Sequence, residues 1–216
     1  IKIVHLAGIE IIKIYKKKVT KKYKSDNTPV TNADIKANDI ICKGLKLHFP
    51  EISIVSEEQV KKGKAAKKFW LVDPLDGTKE FLKGNGEFTV NIGLIENKKP
   101  VFGIIYMPTK NKLYFTKDKK SYFSKLSKNG QLSNIRKIKV KKRNKNIVIL
   151  SRSHSLAKSE IKKAKKMILK RFNANKILRS GSSIKLCYIA HGIANVYPRF
   201  GTVSYTHLTL PTSHCV

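Results

Sequence analysis

The chain has 216 residues, enough for one large domain or two small ones with a substantial hydrophobic core. Its formal net charge is +32, but 40 of the 46 basic residues are lysine and only six are arginine, the residue that proteins reading nucleic-acid sequence favour. This balance argues against specific nucleic-acid recognition, although a polycation that binds RNA or membranes through its lysines remains an alternative class.

The first half of the sequence predicts two helices and then a series of strands. Apolar residues at helical spacing predict a helix over residues 1–18, and Thr31 or Asn32 can cap a second helix that ends near His48. Short apolar runs between turn residues predict the strands that follow, at residues 52–55, 69–72, 88–95, 101–106 and 113–115.

The second half is less regular. Residues 118–145 alternate basic and apolar types, and we interpret them as an edge hairpin and a connection to a second lobe. The elements predicted after them are one strand and two helices, at residues 147–150, 155–171 and 182–194. Strands followed by helical crossovers predict an α+β fold with two layered lobes, residues 1–143 and 144–202.

Cysteine usage and hydropathy set two further limits. Cys42, Cys187 and Cys215 show no paired spacing, which argues against a disulfide framework and favours a reducing compartment. No apolar run approaches the roughly 20 residues that a membrane span requires. We therefore expect a cytoplasmic protein without a transmembrane segment; peripheral contact with the inner membrane and the oligomeric state stay open.

The segment at residues 69–81 is the most informative in the chain. An apolar run that suits a buried strand leads into a tight corner with the sequence Asp73-Pro74-Leu75-Asp76-Gly77-Thr78. Two carboxylates three residues apart can face one cation, with a backbone carbonyl freed by the turn between them. The residues after the corner can open a short helix whose free N–H groups suit a phosphate. The spacing alone fits an ordinary Asp-Pro turn equally well.

This corner resembles the D-P-x-D-G-T signature of the lithium-sensitive, magnesium-dependent phosphatases, which include inositol monophosphatases, fructose-1,6-bisphosphatases and 3'(2'),5'-bisphosphate nucleotidases. Six further segments resemble the CysQ-type nucleotidase branch in the same order, at residues 26–34, 56–58, 86–92, 151–154, 181–183 and 197–201. The resemblance implies a layered α/β/α/β sandwich of the inositol monophosphatase and sugar phosphatase type.

The resemblance also implies roles for residues at the corner. It implies two or three Mg²⁺ ions, with Asp73 bridging two of them, held by Glu57, Asp73, the Leu75 carbonyl and Asp76. Glu58 is the adjacent alternative to Glu57. It further implies that Asp34 and Thr78 activate the attacking water, since a carboxylate can orient a hydroxyl toward that water. Without the resemblance, Asp34 is better explained as an acid in the first turn of a helix.

The implied substrate contacts lie at the corner and in the second lobe, at Gly77, Thr78, His154, Ser182, Lys185 and Arg199. The implied reaction is hydrolysis of adenosine 3',5'-bisphosphate, a by-product of sulfur assimilation, to AMP and phosphate. Inositol monophosphatase activity is the alternative on the same scaffold. Against it, Lys79-Glu80 stands where inositol phosphatases usually carry a pair such as Thr-Asn.

We also expect the chain to be a fragment. In the resembling family, the segment at residues 197–201 is followed by a Trp-Asp-x-Ala-Ala motif whose Asp is a metal ligand. Here, residues 203–212 can be back-translated into one reading frame of a transposase adapter used in sequencing libraries. We interpret residues 203–216 as a read-through artefact rather than a Thr-rich tail. The C-terminal lobe is then truncated, and the chain as printed is expected to be inactive.

Overall fold

The computed structural model describes residues 1–17, 21–23, 29–58, 66–152 and 158–198. Its helices are α1 (Lys2–Tyr15), α2 (Asn32–His48), α3 (Thr78–Leu82), α4 (Lys158–Arg171) and α5 (Ile184–Ala190), with a short 3-10 helix at Pro108–Lys110. Its strands are β1 (Lys21–Tyr23), β2 (Pro29–Thr31), β3 (Ser53–Ser56), β4 (Lys68–Asp76), β5 (Thr89–Glu96), β6 (Lys99–Met107), β7 (Lys112–Lys117), β8 (Lys120–Leu126), β9 (Leu132–Lys137), β10 (Asn146–Ser151) and β11 (Ala174–Ser180).

A seven-stranded sheet organises the first part of the chain, with its strands in the order β3-β4-β5-β6-β7-β8-β9. β3 and β4 run parallel, and each later neighbour runs antiparallel to the one before it. β10 and β11 form a separate parallel pair, and β1 and β2 a short antiparallel pair. Because antiparallel neighbours alternate in direction, the C-terminal end of β4 lies beside the N-terminal end of β5.

One face of the large sheet is covered by α1 and α2. Alternate strand residues such as Trp70, Val72 and Ile92 are buried there together with Ile11 of α1 and Ile41 of α2. This is the period of two that a half-covered strand presents, packed against the apolar stripe of each helix. These helices and strands form the main hydrophobic core.

The opposite face packs against α5. Ile105, Tyr114 and Phe123 of the sheet share a second core with Ile184 and Cys187. The same helix also contacts β10 and β11. The order of layers is therefore helices, sheet, helix and the small sheet, which confirms the predicted α+β layered sandwich. Among the described residues, no helix is long and apolar enough to cross a membrane.

Most predicted elements are present, with different ends. Residues 118–145 contain the predicted edge hairpin, as β8 and β9. The last helix was predicted over residues 182–194 but covers only Ile184–Ala190. It ends where Gly192 takes a φ of +67°, a left-handed backbone that commonly terminates helices. The division into lobes at residue 143 and the adapter interpretation of residues 203–216 stay predictions, and the latter range lies outside the described residues.

Candidate active site

The carboxylate corner forms at the C-terminal end of β4. Pairing between β4 and β5 is irregular between Asp73 and Asp76, so the strand bends away from its neighbour there. Gly77 follows with a φ of +97°, and α3 begins at the next residue. A Cβ atom on Gly77 would lie 3.0 Å from the Glu87 carbonyl oxygen and 3.1 Å from Ser182 Cβ. Glycine is therefore required both by the backbone conformation and by this close approach.

Asp73 is buried in an environment that penalises its negative charge. Its side chain is 8% exposed, and its Oδ1 atom has no hydrogen-bond partner among the described residues. Burial raises the pKa of Asp73 well above its usual range, and so do the negative charges of Asp76, Glu57 and Asp34. An unpaired carboxylate oxygen among like charges is costly unless a proton or a cation neutralises it.

Glu57 and Glu58 approach different members of this cluster. Ser56 at the end of β3 lies opposite Val72 of β4, and the next residue, Glu57, donates its N–H to the Val72 carbonyl at 3.0 Å. This pairing brings Glu57 beside Asp73, and the two side chains interact by charge and by a hydrogen bond. The charge of Glu58 acts instead on Asp34.

Asp34 combines both roles considered from the sequence. Its Oδ2 accepts hydrogen bonds from the Thr31 N–H at 2.8 Å and the Thr31 hydroxyl at 2.6 Å, which caps α2. Its Oδ1 accepts from the Thr78 hydroxyl at 3.3 Å. The same hydroxyl lies 3.3 Å from the Leu75 carbonyl oxygen. Burial raises the pKa of Asp34, the hydrogen bonds of Thr31 lower it in part, and the charge of Glu58 raises it.

The donors at this corner fit a hard divalent cation in their chemistry. Asp73, Asp76, Glu57 and the Leu75 carbonyl all supply oxygen, which Mg²⁺ prefers, and Asp73 Oδ1 has no hydrogen-bond partner in the described part of the chain. In the part of the chain that the structure describes, no three carboxyl, imidazole or thiol groups are arranged around one point as a ready-made metal site. The Asp76 carboxylate accepts a hydrogen bond from the Ser183 N–H.

Two of the predicted substrate residues lie close to the corner. Ser182 packs against Gly77 in space and has a φ of +48°. Lys185, considered as a possible surface lysine, is only 5% exposed. Its ammonium group donates to the Ser182 carbonyl at 2.5 Å and lies 5.6 Å from the centre of the Tyr197 ring. His154 and Arg199, predicted to contact the nucleotide and its second phosphate, lie outside the described residues.

An ion pair that sequence reasoning missed joins the two parts of the site. The Glu87 carboxylate receives two hydrogen bonds of 2.6 Å from the Arg152 guanidinium and one of 2.7 Å from the Gly181 N–H. Arg152 also donates to the Arg179 carbonyl at 3.1 Å. Both partners stood in segments that resemble the nucleotidases, but a pairing over this sequence distance leaves no local signal. We refer to it as the Glu87–Arg152 clamp.

The layered fold, with a buried carboxylate corner beside a hydroxyl–carboxylate pair, agrees with the resemblance to the metal-dependent phosphatases. A model of the inositol monophosphatase family matches residues 1–207, and the chain belongs to that family.

Individual relatives point in the same direction. The chain is 43% identical to the 3'(2'),5'-bisphosphate nucleotidase CysQ of Buchnera aphidicola over 200 residues, which cover 90% of this chain and 71% of the relative. It is 39% identical to CysQ of Escherichia coli K12, over 90% of this chain and 76% of the relative.

Solved structures agree on the fold. The crystal structure of CysQ from Bacteroides thetaiotaomicron matches with a TM-score of 0.68 and 36% identity, over 92% of this chain and 77% of that one. The extragenic suppressor protein suhB from Bartonella henselae matches with a TM-score of 0.71 and 24% identity, over 91% of this chain and 74% of that one, and at that identity supports the fold alone.

Proposed function

We propose that this protein is a Mg²⁺-dependent 3'(2'),5'-bisphosphate nucleotidase that hydrolyses adenosine 3',5'-bisphosphate to AMP and phosphate. The observation that carries the proposal is the buried Asp73, with an unpaired oxygen and three carboxylates acting on it, in a chain 43% identical to a CysQ relative. Bound cations can neutralise a site that concentrates negative charge so strongly, and such cations in turn bind a phosphate ester.

In this proposal, Glu57, Asp73, the Leu75 carbonyl and Asp76 hold two or three divalent ions. Bound divalent ions supply charge neutralisation for the phosphate and for the departing ester oxygen. Asp76 Oδ2 accepts the Ser183 N–H, so the other oxygen of this carboxylate would be the one that faces a cation.

The water that attacks phosphorus is oriented by Thr78 and Asp34. The Thr78 hydroxyl donates its hydrogen to Asp34, which leaves the lone pairs of its oxygen to accept a hydrogen bond from the water. As the water oxygen bonds to phosphorus, the ester bond breaks, and the ribose oxygen leaves with the bonding electron pair and takes a proton from solvent. The water's proton passes to the Thr78 oxygen while the Thr78 hydroxyl hydrogen passes to Asp34. Burial suits Asp34 to that role, because a raised pKa makes its carboxylate a better proton acceptor.

We assign the remaining contacts to Gly77, Ser182 and Lys185, with His154 and Arg199 as further predicted contacts. The buried ammonium of Lys185 brings a positive charge to the edge of the corner, which suits the non-reacting phosphate of the nucleotide. The lysine-rich surface attracts such a polyanionic substrate toward the site. A cytoplasmic location is part of this proposal and rests on Cys42 and Cys187, which are buried and unpaired.

The test measures phosphate release from adenosine 3',5'-bisphosphate by the purified intact protein, with and without Mg²⁺, and with inositol 1-phosphate as the competing substrate. We expect Mg²⁺-dependent hydrolysis of the nucleotide, inhibited by lithium, and at most slow turnover of the inositol ester. Faster hydrolysis of inositol 1-phosphate would contradict the substrate assignment, and equal activity in excess chelator would contradict the metal requirement.

A further inference from the structure

A buried polar network joins the start of β5 to the segment that precedes α5. It consists of Thr89, Asn91 and Ser183, whose side chains are 0%, 2% and 4% exposed. The Ser183 and Thr89 hydroxyl oxygens are 2.8 Å apart, and the Ser183 hydroxyl donates to Asn91 Oδ1 at 3.0 Å. Polar groups so deeply buried are costly unless their hydrogen bonds are made, so the network fixes the three side chains relative to one another.

The direction of these hydrogen bonds follows from the chemistry of a hydroxyl group. Ser183 has one hydroxyl hydrogen, and that hydrogen is used on Asn91. Ser183 must therefore accept from Thr89, and the chain of donors runs from Thr89 through Ser183 to Asn91. Removing the Ser183 hydroxyl leaves both partners unpaired in a buried site.

The network reaches the carboxylate corner at two points. The backbone N–H of Ser183 donates to Asp76 Oδ2. On the sheet, Asn91 is the register partner of Asp73 in the β4–β5 pair. Ser183 thus contacts both Asn91, which lies opposite Asp73, and the Asp76 carboxylate.

Apolar packing alone would fix the position of α5 less tightly than apolar packing together with this hydrogen-bond network. Ile184 and Cys187 of α5 pack in the second core, but such contacts have no preferred direction and tolerate small sliding. Hydrogen bonds of defined length and angle do not. The hydroxyl of Ser183 therefore sets the point at which the Ser183 N–H meets Asp76.

We propose that Ser183 is a positioning residue of this enzyme. Its hydroxyl, held between Thr89 and Asn91, fixes the N–H that orients the Asp76 carboxylate, and through that carboxylate it determines how strongly the corner binds divalent cations. The metal-binding role of Asp76 rests on the proposed function; the network itself does not.

The experiment compares Ser183→Ala, Thr89→Val and Thr89→Ser in the intact protein. Calorimetric titration with Mg²⁺ alone gives the affinity of the corner, circular dichroism confirms folding, and steady-state kinetics separate kcat from KM. Loss of a residue that supports a metal ligand typically weakens metal binding by about tenfold or more. We expect that loss, with a fall in kcat larger than any change in KM, for Ser183→Ala and Thr89→Val. Thr89→Ser keeps the hydroxyl and should restore Mg²⁺ affinity to within about threefold of the parent.

Ser124→Ala is the matched control. Ser124 is 0% exposed and its hydroxyl donates to the Ser133 carbonyl at 2.8 Å, in β8 and away from the corner. We expect it to lower thermal stability and leave Mg²⁺ affinity unchanged. A folded Ser183→Ala protein that binds Mg²⁺ as the parent does would overturn the proposal. If the parent binds Mg²⁺ but hydrolyses no nucleotide, the proposed function fails while the effect of Ser183 on Mg²⁺ affinity still decides this inference.

Discussion

Asp73 shows at the scale of one residue how the proposed metal site can conflict with stability. Its carboxylate is buried, unpaired at Oδ1 and surrounded by like charges. A carboxyl group whose pKa is raised in the folded state destabilises the folded state at neutral pH, and the protein regains that stability as pH falls. The corner is therefore under electrostatic strain that protonation relieves and that, in the proposed function, a bound cation would also relieve.

From this strain we expect Asp73→Asn to raise the melting temperature of the metal-free protein, by several degrees for each ~2 kcal/mol of repulsion removed. The same change should abolish hydrolysis and the rise in melting temperature that Mg²⁺ gives the parent. Thermal denaturation with excess chelator and with Mg²⁺ measures both effects. Asp39→Asn, an exposed change on α2, is the control and should alter neither. A lower melting temperature in chelator would show that Asp73 is not strained.

The two adjacent glutamates give a second prediction at this scale. Glu57 acts on Asp73 by charge and hydrogen bond, whereas Glu58 acts on Asp34. We expect Glu57→Gln to raise the Mg²⁺ concentration for half-maximal activity by about tenfold or more, and Glu58→Gln by less than about threefold. Activity measured across a Mg²⁺ series decides between them, and equal shifts would refute the choice of Glu57 as the ligand.

At the scale of elements, the Glu87–Arg152 clamp holds the turn after β11 against the loop before β5. Burial raises the Glu87 pKa, but the Arg152 hydrogen bonds, the Gly181 N–H and nearby positive charges outweigh it, so the Glu87 pKa is lowered from its ordinary 4.5. A lowered carboxyl pKa contributes stability above the ordinary value and loses it as pH falls through the lowered one. Because Arg152 is 44% exposed, solvent screens much of the ion pair.

We therefore expect Glu87→Gln to destabilise the protein by about 1 kcal/mol at neutral pH. The difference from the parent should shrink as pH falls below about 4.5, where the parent loses the same charge. Melting temperatures recorded from neutral to acid pH test this. Glu96→Gln breaks the more exposed pair with Lys68, of 3.3 Å, and should have almost no effect. A Glu87→Gln deficit that is constant with pH would mean that lost packing, and not charge, is responsible.

The elements also show what the sequence could and could not predict. Strands with alternating burial and helices with apolar stripes were predicted because each pattern is local. The family signature singled out Asp73, Asp76 and Thr78, and a separate resembling segment singled out Asp34; the roles of these residues stay predictions. The short last helix was overestimated because its apolar pattern continues past Gly192, where the backbone turns. The clamp and the Thr89–Ser183–Asn91 network join residues distant in the chain, and neither side of such a contact carries a recognisable signal by itself.

At the scale of the whole molecule, the net charge of +32 is compatible with two classes of protein, a phosphatase with a basic surface and a polycation that binds RNA. Their dependence on salt distinguishes them. If the enzyme uses its lysines only to attract a small polyanion, added salt should slow substrate binding. Screening shortens the range of the attraction to roughly 10 Å at 0.1 M salt. A polycation that binds RNA should lose affinity much more steeply, because every neutralised phosphate releases counterions. In the enzyme, the reaction at the buried corner should be insensitive to salt.

We therefore expect the KM for adenosine 3',5'-bisphosphate to rise only a few-fold between about 50 and 300 mM KCl, with kcat nearly constant. RNA added in excess should inhibit weakly at low salt and not at all at high salt, because binding through about six or more phosphates falls by orders of magnitude over a similar range. Removing Mg²⁺ with a chelator should stop turnover at every salt concentration. Tight RNA binding at low salt that weakens steeply as salt rises, together with no Mg²⁺-dependent hydrolysis of the nucleotide, would instead favour the polycation class.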